Sequence, residues 1–212
     1  MAGRQAGQYP QQCADMKEKI ILIGGGGHCK SCIDVIEQEG RFTIAGIVDM
    51  PEKQQETVLG YPMIGSDADL LELIKTFCNV LITLGQIKSP TRRMELFNNL
   101  MQMGAHFPVI QSPLAYVSRH AHVADGTIVM HHALINAGAS VGRNCIINAK
   151  ALVEHDSVIE DHCHISTGAV VNGGVTIGSG SFFGSGAVSK EYTSIPANSF
   201  IKANSLYPKS DE

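Results

Sequence analysis

The stretch Thr127-Ile-Val-Met-His-His-Ala133-Leu-Ile-Asn-Ala-Gly-Ala139-Ser-Val-Gly-Arg-Asn-Cys145-Ile-Ile147 repeats itself every six residues. Val129, Ile135, Val141 and Ile147 mark the beat. The register runs on unbroken to Val117 and Val123 on one side and to Val153, Ile159, Ile165, Val171, Ile177 and Phe183 on the other. Two places before each stands a mostly small residue: Ala115, Ala121, Thr127, Ala133, Ala139, Cys145, Ala151, Ser157, Cys163, Ala169, Val175 and Ser181. A period of six suits neither a helix, which repeats every 3.6 residues, nor hairpins with variable turns. It suits a coil with three short faces of six residues each. The aliphatic residue points into a triangular core, the small one fits beside a corner, and about four coils stack into a parallel β-helix.

The same ruler sorts the chemically active side chains. Cys145 and Cys163 take small inward places, which turns the thiol of His162-Cys163-His164 away from its two histidines. His131, His132, His155, His162 and His164 take outward places, where imidazoles can do chemistry.

Ahead of the repeats the pattern changes. Lys19-Ile20-Ile21-Leu22-Ile23 is an apolar run of strand length, cut off by Gly24-Gly25-Gly26-Gly27-His28. Cys32, Ile33, Val35 and Ile36 give the next segment an apolar helical face up to Gly40, and Thr43 to Asp49 reads as a second strand. Ser66 and Asp69 have the spacing of a capping box before a helix carrying Leu70, Leu73 and Ile74. Val80 to Leu84 reads as a strand, and Ser89-Pro90 starts a helix from Thr91 to Met103 that Gly104 stops. His106 to Ile110 closes the unit. Alternating strands and helices imply a parallel sheet, with ligands beyond the carboxyl ends of its strands. Gly24 to His28 lies at such an end, where bare N–H groups opening a helix favour a phosphate. Asp49 ends the second strand, within reach of a ribose or sugar hydroxyl. In G-x-G-x-x-G register from Gly24 the third glycine is replaced by Cys29, so a standard dinucleotide site is not expected; the alternative is a plain tight turn.

The expected division is therefore a disordered extension over 1–16, a Rossmann-like βαβ nucleotide-binding domain over 17–111, a β-helix over 112–203 and a tail over 204–212. Composition agrees: 44% hydrophobic residues supply a core for 212 residues, and 6% aromatic content with 22 glycines favours small side chains and tight corners. A formal charge of −4 without a basic stripe argues against nucleic-acid polymers as partners. No apolar run reaches the roughly 18 to 20 residues of a membrane span, and the start lacks a signal peptide's apolar stretch. Cysteines 13, 29, 32, 78, 145 and 163 then read as free thiols in a cytoplasmic protein, with the lone Cys29-Lys-Ser-Cys32 pair short of partners for a metal site.

Ile23-Gly-Gly-Gly-Gly-His28, the Val-Ile/Leu-Ile-Asn-Ala motifs of the repeats and Val153-Glu154-His155-Asp156-Ser157 resemble bacterial sugar O/N-acetyltransferases of the PglD/NeuD type, over roughly residues 17–203. The resemblance implies a left-handed β-helix, a homotrimer, and acetyl-CoA-dependent N-acetylation of a nucleotide-linked amino sugar, such as a UDP-4-amino-4,6-dideoxy sugar, without a metal. It implies that His155 is the general base with Asp156 as its acidic neighbour. An imidazole titrating near neutrality can deprotonate an attacking amine, while a carboxylate fixes its tautomer. Adjacent residues on a flat strand point apart, so this pairing requires a coil corner. By the same resemblance His164, Gly173, Gly184 and Ser185 meet acetyl-CoA, Asn148 meets the acceptor, and Gly26, Gly27, His28, Asp49 and Gly85 meet the nucleotide sugar. Two departures stand out. Met50 replaces the second member of an Asp-Asp pair, and the chain after Phe183 is read as short of about one coil before Ser189 to Pro196. Alternatives left open are O-acetylation of a sialic-acid-like sugar, a zinc-dependent hydratase using His155, His162 and His164, and a non-catalytic nucleotide-sugar sensor.

Overall fold

The computed structural model describes residues 17–50, 52 and 57–208. The extension expected over 1–16 and the last four residues of the expected tail lie outside them.

The first domain builds from the apolar runs. β1 (Glu18–Ile23) from Ile20 onward and β5 (Asn79–Ile82) throughout are buried on both faces, as parallel strands between helices are. With β2 (Phe42–Val48), β3 (Thr57–Val58) and β4 (Tyr61–Gly65) they form a sheet in the order β3-β4-β2-β1-β5. All neighbours are parallel except β3 and β4, whose tight turn places Leu59 and Gly60 in left-handed backbone. This hairpin was not legible, being too short to show alternation. α1 (Gly27–Glu39) ends on left-handed Gly40 and faces the core with Cys29, Cys32, Ile33, Val35 and Ile36. The Ser66/Asp69 capping box forms and leads through a short 3-10 turn into α2 (Leu70–Thr76). α3 (Thr91–Gln102) starts after Pro90, with the Ser89 hydroxyl accepting the Thr91 N–H at 3.2 Å.

Residues 106–110 do not close this sheet. His106 makes only a single bridge to Asn79, and Ile110–Gln111 instead pairs with Ile128–Val129 as the first rung of the second domain.

That domain is the expected left-handed parallel β-helix. Two-residue strands stack in register every eighteenth residue on three faces. One face begins with Tyr116–Val117, the second with His122–Val123 and the third with Ile110–Gln111. The aliphatic beat lies inside: Val129, Ile135, Val141, Ile147, Val153, Ile165, Val171, Ile177 and Phe183 are fully buried.

Two expectations need correction. The coil thought to be missing after Phe183 is present, with rungs at Val188–Ser189, Ser194–Ile195 and Phe200–Ile201. The prism also runs past 203, because Leu206–Tyr207 pairs with Val188–Ser189. The beat was hidden by Ser189, a fully buried polar residue in an aliphatic place. Its hydroxyl accepts the Asn172 N–H at 2.8 Å, which satisfies it inside the core.

The first domain sits on the third face. Cys29, Ile33 and Ile36 of α1 share a core with Ile128, Met130 and Ile146 of the prism. His131 ties the same helix down: its Nε2 meets Asp34 Oδ2 at 2.7 Å and its Nδ1 meets Ser112 Oγ at 2.7 Å. The Ser112 hydroxyl is fully buried, so this Ser-His-Asp row is a tether and not a nucleophile. Among the described residues no helix is long and apolar enough to cross a membrane.

Candidate active site

The candidate residues fall into two groups, one on an edge of the prism and one where the first domain meets it. The first lies on the edge between the first and second faces. Here His155 and Asp156 form a corner whose second residue has left-handed backbone (φ 59°). That turn brings two adjacent side chains together: His155 Nδ1 lies 2.9 Å from Asp156 Oδ2, with roughly half of the imidazole exposed. Glu154 Oε2 accepts from Asn136 at 2.7 Å and from the His155 N–H at 3.3 Å, which steadies the corner. One coil on, a Cβ at Gly173 would lie 2.6 Å from His155 Nε2, so the ring occupies the place of the missing side chain. Gly173→Ala is therefore expected to push the imidazole off its seat and to lower turnover by on the order of tenfold, with little change in melting midpoint. Wild-type activity in this variant would show that the ring position is immaterial.

The second group lies under the first domain. His164 Nδ1 donates to Gln86 O at 2.6 Å, while its Nε2 accepts from Asn148 Nδ2 at 3.2 Å, which defines a neutral tautomer. The His28 ring centroid is 6.5 Å from that of His164, and Gly85 leaves room beside His28. Sequence reading gave these residues to different ligands; the structure brings His28, Gly85, Asn148 and His164 together. It also corrects their exposure. His162 and His164 do point out of the prism, but the docked domain buries both, and His162 is held by Asn144 and by the edge of Phe97. Gly184 and Ser185 stand on the edge between the third and first faces, where Ser185 Oγ lies 2.8 Å from Ser166 Oγ.

Behind the cluster is Arg93, a residue the sequence gave no reason to single out. Its guanidinium is buried and reaches Ile82 O (2.9 Å), Leu84 O (2.6 Å), Asn144 O (3.2 Å) and Asn144 Oδ1 (2.7 Å). It pins the segment that carries Gly85 and Gln86 to a corner of the prism. Burial pushes the His28 imidazole down to about 3 and that of His164 down to about 4, with the Arg93 charge adding to both; the bond to Gln86 works against it at His164.

A pH dependence follows. Free imidazoles titrate near 6.5, so below that pH the unfolded chain binds protons that native His28 and His164 refuse. Stability is expected to fall as pH drops from about 6.5 to about 4, by up to about 1.4 kcal/mol per pH unit for each group. Urea midpoints measured at pH 7, 6 and 5 check this, and a flat series would contradict buried neutral histidines.

The glycine turn makes Gly26 the N-cap and Gly27 the first residue of α1, with no side chain capping the helix start. Gly25 N–H donates to Asp49 Oδ2 at 2.8 Å, so Asp49 shapes this turn. Asp49 also lines a cavity of about 270 Å³ with Gly24, Met50, Ser66, Asp67, Leu84 and Arg92 at the carboxyl ends of the strands. Cys29 and Cys32 face the core, where burial pushes both thiols up and away from redox use. Among the described residues no three His, Cys, Asp or Glu side chains are grouped to hold a metal ion.

Residues 19–100 match the model of the PglD N-terminal domain, and residues 156–188 match that of the bacterial transferase hexapeptide repeat. Fold and matches agree with the sequence resemblance: the chain is an acetyltransferase in which a region matching the PglD N-terminal domain precedes one matching hexapeptide repeats. Among solved structures it is similar to the acetyltransferase domain of PglB from Neisseria gonorrhoeae, with 28% identity, 90% of this chain and 91% of that one covered, and a TM-score of 0.83. It is equally similar to a single-histidine variant of perosamine N-acetyltransferase from Caulobacter crescentus in complex with CoA and GDP-perosamine (28% identity, 90% and 89% covered, TM-score 0.83). The PglB domain in complex with acetyl coenzyme A matches at 29% identity, 89% of each chain and a TM-score of 0.81. No curated protein matches the chain by sequence.

Proposed function

We propose that the protein transfers acetyl from acetyl-CoA to the amine of a nucleotide-linked amino sugar, such as a UDP-4-amino-4,6-dideoxy sugar, in the cytoplasm. The observation that carries this reading is the contact of His155 Nδ1 with Asp156 Oδ2, which leaves Nε2 over Gly173 as the basic nitrogen. In the proposed step the sugar amine attacks the thioester carbonyl, a C–N bond forms and the C–S bond breaks. His155 Nε2 takes the amine proton and returns it to the departing thiolate, while Asp156 stabilises the imidazolium in between. The solved relatives crystallised with CoA and GDP-perosamine, or with acetyl coenzyme A, support this pairing of ligands.

The reading includes a homotrimer. His155 stands on the edge opposite the face that the first domain covers, so a sugar held by the Gly26, Gly27 and His28 turn needs the His155 of a neighbouring copy. The face between these regions supports that assembly: its outward column is Tyr116, Leu134, Leu152, Val170, Val188 and Leu206, apolar along the whole prism. His164, Gly184 and Ser185 of one copy and Gly173 of the next then flank the acetyl donor, with Asn148 near the acceptor and Asp49 and Gly85 lining the nucleotide-sugar site.

Thiol release from acetyl-CoA, followed across a panel of nucleotide-linked 4-amino sugars and sialic-acid-type alcohols, tests the proposal. Acetylation of an amine acceptor is expected. Transfer to alcohols alone, or tight nucleotide-sugar binding with no thioester cleavage, would overturn it.

A further inference from the structure

The edge that carries His155 has a second unusual corner. Left-handed residues stack along it at Gly138 (φ 77°), Asp156 (φ 59°), Gly174 (φ 67°) and Tyr192 (φ 55°). In this prism the side chain of such a residue repeatedly folds over a glycine one coil earlier. Asp156 Oδ1 lies 2.4 Å from where a Gly138 Cβ would stand, Asn198 Oδ1 2.5 Å from that of Gly180, and Asn204 Oδ1 2.4 Å from that of Gly186. Those three corners take Asp or Asn, which tolerate left-handed backbone. The fourth takes a tyrosine: Tyr192 Cδ1 lies 2.4 Å from the Cβ position of Gly174. A bulky aromatic in this conformation goes against local preference, and such exceptions gather at functional sites.

Its surroundings say what the ring can do. His155 leans over Gly173 from the coil before and Tyr192 leans over Gly174 from the coil after, so the two rings cover neighbouring glycines. With coils about 4.8 Å apart, Tyr192 and Asp156 stand two coils apart along the edge, with the Gly173–Gly174 coil between them. Neither Gly173 nor Gly174 projects a side chain into the space beside His155 Nε2. Tyr192 is also 78% exposed and offers most of its ring surface to whatever lies along this edge.

We propose that Tyr192 is a specificity-determining residue, the wall that limits the transferred acyl group to the size of acetyl. The inference rests on the reading of His155 as the base at a thioester. A carbonyl close enough for attack beside His155 Nε2 has the Asp156 carboxylate towards one end of the edge and the phenol ring towards the other. An acyl methyl loses water favourably against the ring and unfavourably against the carboxylate, so it points to Tyr192. Because the ring covers the glycine next to the one under His155 Nε2, a two-carbon group fits between that nitrogen and the ring, whereas a four-carbon chain runs into the ring.

The test compares kcat/KM for acetyl-, propionyl- and butyryl-CoA in the wild type, Tyr192→Asn and Tyr192→Phe, with an amino-sugar acceptor. Asparagine removes the wall and suits the left-handed corner, as at 198 and 204; Tyr192→Gly is the second small variant should it be needed. The wild type is expected to favour acetyl over butyryl at least about tenfold, in line with what methylene discrimination can supply. In Tyr192→Asn that preference shrinks at least about fivefold, and in Tyr192→Phe it persists. A merely structural tyrosine would alter all donors alike. If the wild type transfers acetyl but the donor ratio is unchanged in folded Tyr192→Asn and Tyr192→Gly, the wall is disproved while the parent reading stands. If the wild type transfers no acyl group to any amine, the parent reading fails and this inference with it.

Discussion

His155→Ala is expected to lose at least about a hundredfold in turnover while keeping the wild-type melting midpoint. The size follows from what a positioned general base contributes, commonly a hundredfold to ten-thousandfold. The unchanged stability follows from exposure: the imidazole is half exposed and bonded only to the neighbouring Asp156 carboxylate, which is itself 71% exposed. Replacing it buries nothing unsatisfied and opens no cavity, and such surface changes move stability by about half a kcal/mol at most. Asp156→Asn keeps a side chain that accepts left-handed backbone but removes the charge facing Nδ1, so an intermediate loss is expected, concentrated in kcat. Steady-state kinetics beside circular-dichroism melting separate these outcomes. An active His155→Ala variant would remove the proposed mechanism.

Arg93→Met is expected to have the largest effect on stability, about 3 to 5 kcal/mol, because several buried acceptors lose one donor together. Methionine matches the length of the arginine stem, so volume is roughly conserved and the loss isolates the hydrogen bonds. Four acceptors lose their donor at once: the carbonyls of Ile82, Leu84 and Asn144 and the Asn144 side chain. All are neutral oxygens, those of Ile82 and Asn144 in buried bonds and that of Leu84 in a partly buried one, and each group left unsatisfied in the interior costs about 1 to 3 kcal/mol before relaxation. The melting midpoint should fall on the order of 10 °C for a chain of this size. Because the Leu84–Gln86 segment also holds His164 through Gln86 O, the variant should bind its nucleotide sugar more weakly even well below its midpoint. A shift under about 1 kcal/mol would mean that the two domains are held together without this guanidinium.

Legibility differed sharply between the two halves. The prism could be read because each coil repeats the same local demand, an aliphatic residue every sixth place, and no other architecture needs that beat. It failed at Ser189 for a stated reason: a hydroxyl satisfied by the Asn172 N–H can stand in the core where a pattern of apolar residues predicts none. The corner pairing of His155 with Asp156 was anticipated from the argument that strand neighbours point apart. The left-handed backbone at Asp156 supplies the required turn. In the first domain the long buried strands and the capping box were visible, whereas Thr57–Val58 and Tyr61–Gly65 were too short to show a period.

What the amino-acid sequence determined alone was the stacked prism, the α/β unit before it and the outward placement of its histidines, because these follow from periodicity and local backbone preference. Tertiary structure alone decided which of those histidines meet water. The docking of α1 and α3 on one face buried His162 and His164, engaged His131 in a tether and left His155 open on the far edge. Arg93 shows why this was unreadable: on a helix it looks like a solvated cation, and its burial comes from oxygens 9 to 51 residues away in the chain, which only the folded domains bring within hydrogen-bonding distance.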